Sequence, residues 1–146
     1  MKFSTSAVLA VLSASTAFAA PAADPDVSMM TTSQWTIQNM KRTCGGGTCN
    51  WSFGINQNDG NAATACAFKV NGSPATQTDS SGNKCGKYTV STGWSGQFGQ
   101  GQGFTTLSVV DNNSKQIIYP AYTDKQLSGG KVVKPDQKYT PQNLPK

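Results

Sequence analysis

The chain has 146 residues, a formal net charge of +5, four cysteines and no histidine. Every acidic side chain is Asp, Arg42 is the sole arginine, and lysines scattered from Lys41 to Lys146 supply the rest of the positive charge apart from Lys2. Without His there is no Ser-His or Cys-His nucleophilic pair and no histidine-ligated zinc. Without Glu, two-carboxylate glycoside hydrolysis would have to find two Asp residues. Asp59, Asp79, Asp111, Asp124 and Asp136 stand mostly in turn contexts such as Asn58-Asp59-Gly60, where Asp bonds the nearby backbone without any catalytic task. Nucleic-acid binders cluster basic residues with arginine on one face, so no nucleic-acid partner is expected. The dispersed lysines describe a solvated surface, with weak attraction to anionic polymers as the alternative. No cofactor, metal or catalytic residue is expected.

In chain order, Lys2, the apolar run Ala7-Val8-Leu9-Ala10-Val11-Leu12 and the small-x-small triplet Ala17-Phe18-Ala19 form a secretory signal peptide over 1–19. The apolar run is far below the roughly 20 residues of a spanning helix, so no membrane span is expected. Cleavage after Ala19 leaves 20–146 as a single secreted domain, long enough to bury its own core. Residues 20–31, with Pro21 and Pro25, read as a mobile lead-in.

From there the pattern is strand-like, with short alternating apolar pieces. Strands are expected over 33–39 (Trp35, Ile37), 49–55 (Cys49, Trp51, Phe53 and Ile55 on one side), 64–70 (Cys66, Phe68, Val70), 85–92 (Tyr88, Val90), 104–110, 115–119 (Ile117, Ile118) and 131–134 (Val132, Val133). Between them lie turn formers such as Asn71-Gly72-Ser73-Pro74, Ser80-Ser81-Gly82-Asn83 and Ser128-Gly129-Gly130, each suited to a tight reversal. Many short strands with frequent turns predict an all-β fold, a small antiparallel barrel or sandwich. The proline-rich tail 135–146 is expected to run extended along the surface.

Cys44, Cys49, Cys66 and Cys85 are an even set in a secreted chain, where disulfides are the default. Three pairings are possible. The favoured one joins Cys44 to Cys49 across the mouth of a hairpin whose loop Gly45-Gly46-Gly47 can reverse, and Cys66 to Cys85 between later strands. The hairpin raises a register problem. With Cys44 opposite Cys49, Ile37 falls on the opposite face from Ile55, and Trp35 and Ile37 join the same core only if a bulge lies between Ile37 and Met40.

The stretch Gly93-Trp94-Ser95-Gly96-Gln97-Phe98-Gly99-Gln100-Gly101-Gln102-Gly103-Phe104 has two readings. One is a bulged hairpin whose aromatics pack inward. The other is a binding loop in which Trp94, Gln97, Phe98 and Gln100 offer apolar faces beside amides, as sugar rings or peptides require. Its glycines do not follow the dinucleotide fingerprint. Ser81-Gly82-Asn83-Lys84 matches S-x-x-K only in a hydrophilic turn, without the partner triplets of that enzyme class. Of the sequons at Asn50, Asn71 and Asn112, Asn112 is the glycosylation candidate because it stands in an expected exposed turn.

The signal peptide, Trp35-Thr36-Ile37-Gln38, the 49–55 strand, Cys66-Ala67-Phe68, Tyr88-Thr89-Val90-Ser91, Trp94-Ser95-Gly96-Gln97-Phe98-Gly99, Phe104-Thr105-Thr106-Leu107-Ser108-Val109-Val110-Asp111 and Tyr119-Pro120-Ala121-Tyr122-Thr123-Asp124 together resemble the small secreted hypersensitive-response-inducing elicitors of filamentous ascomycete fungi. The resemblance covers most of the secreted part. It implies an extracellular β-barrel that a plant host detects through a surface or apoplastic component, inducing cell death and defence without enzymatic chemistry. It brings no catalytic residues. A carbohydrate or cell-wall-binding module, with wall polysaccharide as partner, is the alternative. The Trp-x-Ile, Phe-x-Ile and Cys-x-Phe strands are more distantly similar to the Alternaria major-allergen family, a β-barrel whose cysteine spacing this chain does not follow.

Overall fold

The computed structural model describes residues 33–146; the expected signal peptide and lead-in fall outside the described residues. Two antiparallel sheets face one another, and the second strand shows why. In β2 (Thr48–Asn56) the alternation expected from the sequence buries Cys49, Trp51, Phe53 and Ile55. It pairs on one side with β3 (Thr64–Asn71) and on the other with β1 (Trp35–Gly45).

The expected register problem in β1 is solved by the expected device. Gln38 lies opposite Gly54 and Lys41 opposite Ser52, so Asn39 and Met40 together face a single residue, Phe53. Asn39 takes the left-handed φ of 53°, which Asn tolerates better than most side chains. The extra residue lets Trp35, Ile37 and Met40 all point into the core. The next inward position is Arg42, a buried cation at the edge of that core. At the hairpin tip Gly46 and Gly47 have φ of 62° and 80°, the two consecutive positive values that a tight two-residue reversal needs.

The second sheet is built on β5 (Tyr88–Ser95) and β6 (Phe104–Asp111), paired residue for residue from Tyr88↔Asp111 to Ser95↔Phe104. On β6, Thr105, Leu107, Val109 and Asp111 are buried in strict alternation. Its outer side pairs first with β7 (Gln116–Ile118) and then with β8 (Ala121–Thr123), a single edge interrupted at Tyr119-Pro120. Pro120 keeps the ladder through its carbonyl, which accepts the Leu107 N–H at 2.7 Å. Trp35 of the first sheet meets Tyr88 of the second edge-on, with centroids 5.9 Å apart. Such a contact contributes about 1 kcal/mol beyond area burial.

Two elements depart from the sequence pattern. Where a turn is expected over 80–83, β4 (Ser80–Cys85) pairs with β5 around an irregularity between Ser80 and Asn83. The tail forms β9 (Gln137–Tyr139) against β1 and β10 (Gln142–Asn143) against β7, so it is extended as expected but belongs to both sheets. Conversely, 131–134 is no strand. Val133 is buried and its N–H bonds Met40 O at 2.8 Å, docking the segment onto the bulge.

Among the described residues the sheet orders are β3-β2-β1-β9 and β4-β5-β6-β7-β10. The outcome is a sandwich, and no sheet closes into a barrel. Both expected disulfides are present, Cys44–Cys49 and Cys66–Cys85. The second joins β3 to β4 and so ties one edge of each sheet. On the far side, β9 and β10 follow one another in the tail and tie the two opposite edges.

Candidate functional site

The loop between β5 and β6, residues 96–103, is two successive turns. Gly99 N–H bonds Gly96 O at 3.0 Å and Gln102 N–H bonds Gly99 O at 3.1 Å. At its root stands Trp94, held at both ends. Its backbone N–H donates to Asp79 Oδ1 at 2.9 Å, and its indole Nε1–H to Asp124 Oδ2 at 2.9 Å. The glycines on either side are there to leave room. A Cβ on Gly96 would stand 2.5 Å from the indole Cη2, and one on Gly103 2.8 Å from Cζ2. No ordinary side chain fits at either position while the indole stays where it is.

Asp124 opens α1 (Asp124–Leu127), a single turn capped by Thr123, whose Oγ1 accepts the Gln126 N–H at 3.1 Å. The Asp124 N–H bonds Gly103 O at 3.0 Å, so this short helix and the β5–β6 loop are fixed to one another. The other carboxylate oxygen of Asp124 lies 3.4 Å from Arg42 Nη1. Arg42 is 5% exposed, and its guanidinium carbon sits 5.5 Å from the centre of the Trp51 ring, a cation–π arrangement. A chain of contacts thus runs Trp51–Arg42–Asp124–Trp94 from the first sheet to the second.

Two clefts meet at this chain. The first, about 450 Å³, is lined by Trp94, Gln77, Gln100, Lys125 and loop glycines. The second, about 420 Å³, is lined by Arg42, Thr43, Thr76, Leu127 and the Ser128–Gly130 turn. Asp124 and Ser128 belong to both. Each volume falls in the range of about 300–1,000 Å³ that small-ligand sites occupy. Among the described residues Asp124 is the one carboxylate in either wall, so the clefts hold no facing pair of Asp side chains.

Of the loop residues singled out in the sequence, Trp94 and Gln100 enter the cleft wall together. Gln97 and Phe98 do not line it. Phe98 is 67% exposed and stacks on Phe104 with centroids 5.8 Å apart, so the inward-packing reading fails for that ring, while Trp94 is half-buried. Sequence reasoning sets Asp124 aside as a turn residue and misses Arg42, Gln77 and Ser128. The available signal is Arg42 itself, the sole arginine of the chain, on the inward phase of a strand.

Other singled-out groups have local partners. Lys84 Nζ donates to Thr89 Oγ1 at 3.0 Å. Asn112 is half-buried, and its Nδ2, the nitrogen on which a glycan would be built, donates to Lys87 O and Thr89 Oγ1, both at 2.9 Å. Asp111 is buried. Burial pushes its carboxyl up, but the Gln57 amide, the Ser114 and Asn113 backbone N–H groups and the Lys87 ammonium outweigh that, and its pKa settles at about 2.

The family model described as Effector TSP1 matches residues 36–144, which takes in both sheets and the clefts. A protein of Hypocrea virens named Effector TSP1 is 43% identical over 148 residues, covering 99% of this chain and 100% of that protein. The chain belongs to the Effector TSP1 family. That places the resemblance noted in the sequence at the level of a fungal effector. The family match spans the second disulfide, the β5–β6 loop, Arg42 and Asp124 alike, so both clefts lie wholly within the Effector TSP1 region.

Proposed function

We propose that this Effector TSP1 family member is a secreted fungal elicitor that acts by being recognised, without catalysis. The leader 1–19 exports it, and a surface or apoplastic component of a plant host binds the β5–β6 loop, setting off hypersensitive cell death and defence responses. One observation carries the reading. Phe98 stands 67% exposed on a loop whose root is clamped by Trp94 and Asp124. A large aromatic held out on a rigid, uncharged loop is the kind of anchor that dominates recognition surfaces.

A second reading has its own observation. Trp94 and Gln100 share a cleft with Gln77 and Ser128, an indole among amides and a hydroxyl, which suits a sugar ring of the plant or fungal wall.

Infiltration of the oxidised protein into leaves, beside a heat-denatured sample and a Trp94→Ala/Phe98→Ala variant, tests the first reading. Dose-dependent cell death or an oxidative burst is expected, with the double substitution lowering potency by about tenfold or more, the loss of a strong anchor. Absence of any response across several hosts overturns it and leaves the polysaccharide reading to a pull-down on wall material.

A further inference from the structure

Resting on the saccharide reading of the Trp94 cleft, we propose that the paired clefts from Trp94 past Asp124 to Arg42 bind an acidic oligosaccharide, with a sugar carboxylate at the Arg42 guanidinium and a ring against the Trp94 indole.

Arg42 is the reason for the acid. A guanidinium carries five N–H donors, and taking one out of water is costly unless those donors are used. Arg42 is 5% exposed, yet its contact with Asp124 is 3.4 Å, long against the roughly 2.7–2.9 Å of a charge-assisted N–H···O bond. Its Nε is buried with no acceptor among the described residues. Asp124 cannot turn fully toward it, because Oδ2 is held by the Trp94 indole. The cation is therefore under-used and lines an open cleft. The planar group that matches its fork is a carboxylate.

The walls say which kind of carboxylate. Thr43, Thr76 and Ser128 offer hydroxyls on the Arg42 side, Gln77 and Gln100 offer amides on the Trp94 side, and Lys125 adds a second positive charge. An acidic peptide motif is met by a cluster of arginines, and Arg42 is the sole arginine of the chain. The first cleft presents a single large apolar face, that of Trp94, with Gln77, Gln100, Lys125 and Ser128 in the same wall. Repeating rings with hydroxyls and a carboxylate answer that layout.

Calorimetric titration of the oxidised protein tests it, with oligogalacturonides, their fully methyl-esterified counterparts, neutral cello- and chito-oligosaccharides, and an oligo-aspartate peptide as probes. Two variants accompany it. Thr43→Glu places a negative charge at the exposed rim beside Arg42 without touching the buried pair. Ser81→Glu makes the same charge change on β4, outside both clefts. Thermal melts confirm that each is folded. Arg42→Lys, which keeps the charge and loses the fork, is informative wherever it folds.

The expected result is binding of the acidic oligosaccharide that esterification weakens, and a loss of about tenfold or more in Thr43→Glu and Arg42→Lys but not in Ser81→Glu. Equal binding of neutral sugars, indifferent to Thr43→Glu, overturns the acidic specificity and leaves the saccharide reading standing. An equal loss in Ser81→Glu also overturns it, because the attraction then comes from lysines spread over the surface. Oligo-aspartate binding as tightly as the sugar overturns the choice of ligand. Binding of none of the saccharides removes both the acidic specificity and the saccharide reading.

Discussion

Two hairpins of this molecule end in glycine-rich loops that both turn on left-handed glycines, Gly46 and Gly47 in one and Gly99 and Gly101 in the other, but the second puts glycine to a further use. The β1–β2 tip is closed by Cys44–Cys49, and its Gly46 and Gly47 occupy backbone conformations that other residues resist. It is a way of turning round. The β5–β6 tip has no cystine. Gly96 and Gly103 there serve the indole of Trp94 by leaving space for it, and hydrogen bonds from Trp94 to Asp79 and Asp124 do the closing. The first tip presents small, featureless backbone, and the second holds an aromatic out and frames a cleft. Composition alone does not separate a structural glycine cluster from a site-forming one. What separates them is whether a large side chain occupies the room the glycines leave.

Three kinds of change probe that contrast. The largest effect belongs to the cross-links. Loop-closure entropy gives Cys66–Cys85, spanning 19 residues, about 3 kcal/mol, and the five-residue Cys44–Cys49 about 2 kcal/mol. Paired Cys→Ser variants in urea titrations should show that order. A larger cost at the hairpin tip would mean that Cys44–Cys49 holds more than its own turn.

Acid strikes the opposite end of the β5–β6 hairpin from the loop. Asp111 has its pKa lowered to about 2 in the fold, against an ordinary value near 3.9 in the unfolded chain. Its stabilisation, about 2 kcal/mol, is therefore fully present above about pH 5 and is lost as pH falls through 2. Melts of Asp111→Asn should start lower at neutral pH and change less than the parent between about pH 5 and 2. A parallel acid response in the two proteins would remove Asp111 as the cause.

The smallest effect compares the glycines themselves. Gly46→Ala should cost about 1 kcal/mol through its left-handed backbone and leave tryptophan fluorescence unchanged. Gly96→Ala should cost a similar amount but shift the emission of Trp94, because the methyl group displaces the ring. An unshifted spectrum would show that the indole does not fill the space beside Gly96.

Much of this fold is legible in the sequence because alternation is a strong signal where strands bury one face. β2 shows it residue by residue and β5 through Tyr88 and Val90, and even the bulge in β1 follows from the phase of Trp35, Ile37 and Met40; β6 reads as a strand, but its buried face includes the polar Thr105 and Asp111, which apolar alternation does not mark. β4 is not legible, because Ser80-Ser81-Gly82-Asn83-Lys84 has no apolar period; it is held by pairing to β5 and by Cys85. The pair Val132-Val133 misleads in the other direction, since Val133 is buried by docking on the bulge, a use of apolar residues that no local pattern distinguishes from a strand. The site is half visible. Trp94 and Gln100 announce themselves by composition, whereas the Arg42–Asp124 contact joins positions 82 residues apart and has no local signature.

The bulge carries one more consequence, about time. Asn39 is held in its unusual conformation from the far end of the chain. Its N–H bonds Asp136 Oδ1 at 2.9 Å, its Oδ1 accepts from Lys134 Nζ at 2.6 Å, and β9 lies along Trp35–Ile37. The bulge, unlike the rest of the β1–β2 pairing, is thus pinned only once nearly the last residues have emerged. Contacts of such long sequence separation form slowly, so the kink in the first strand is among the last features of its sheet to set.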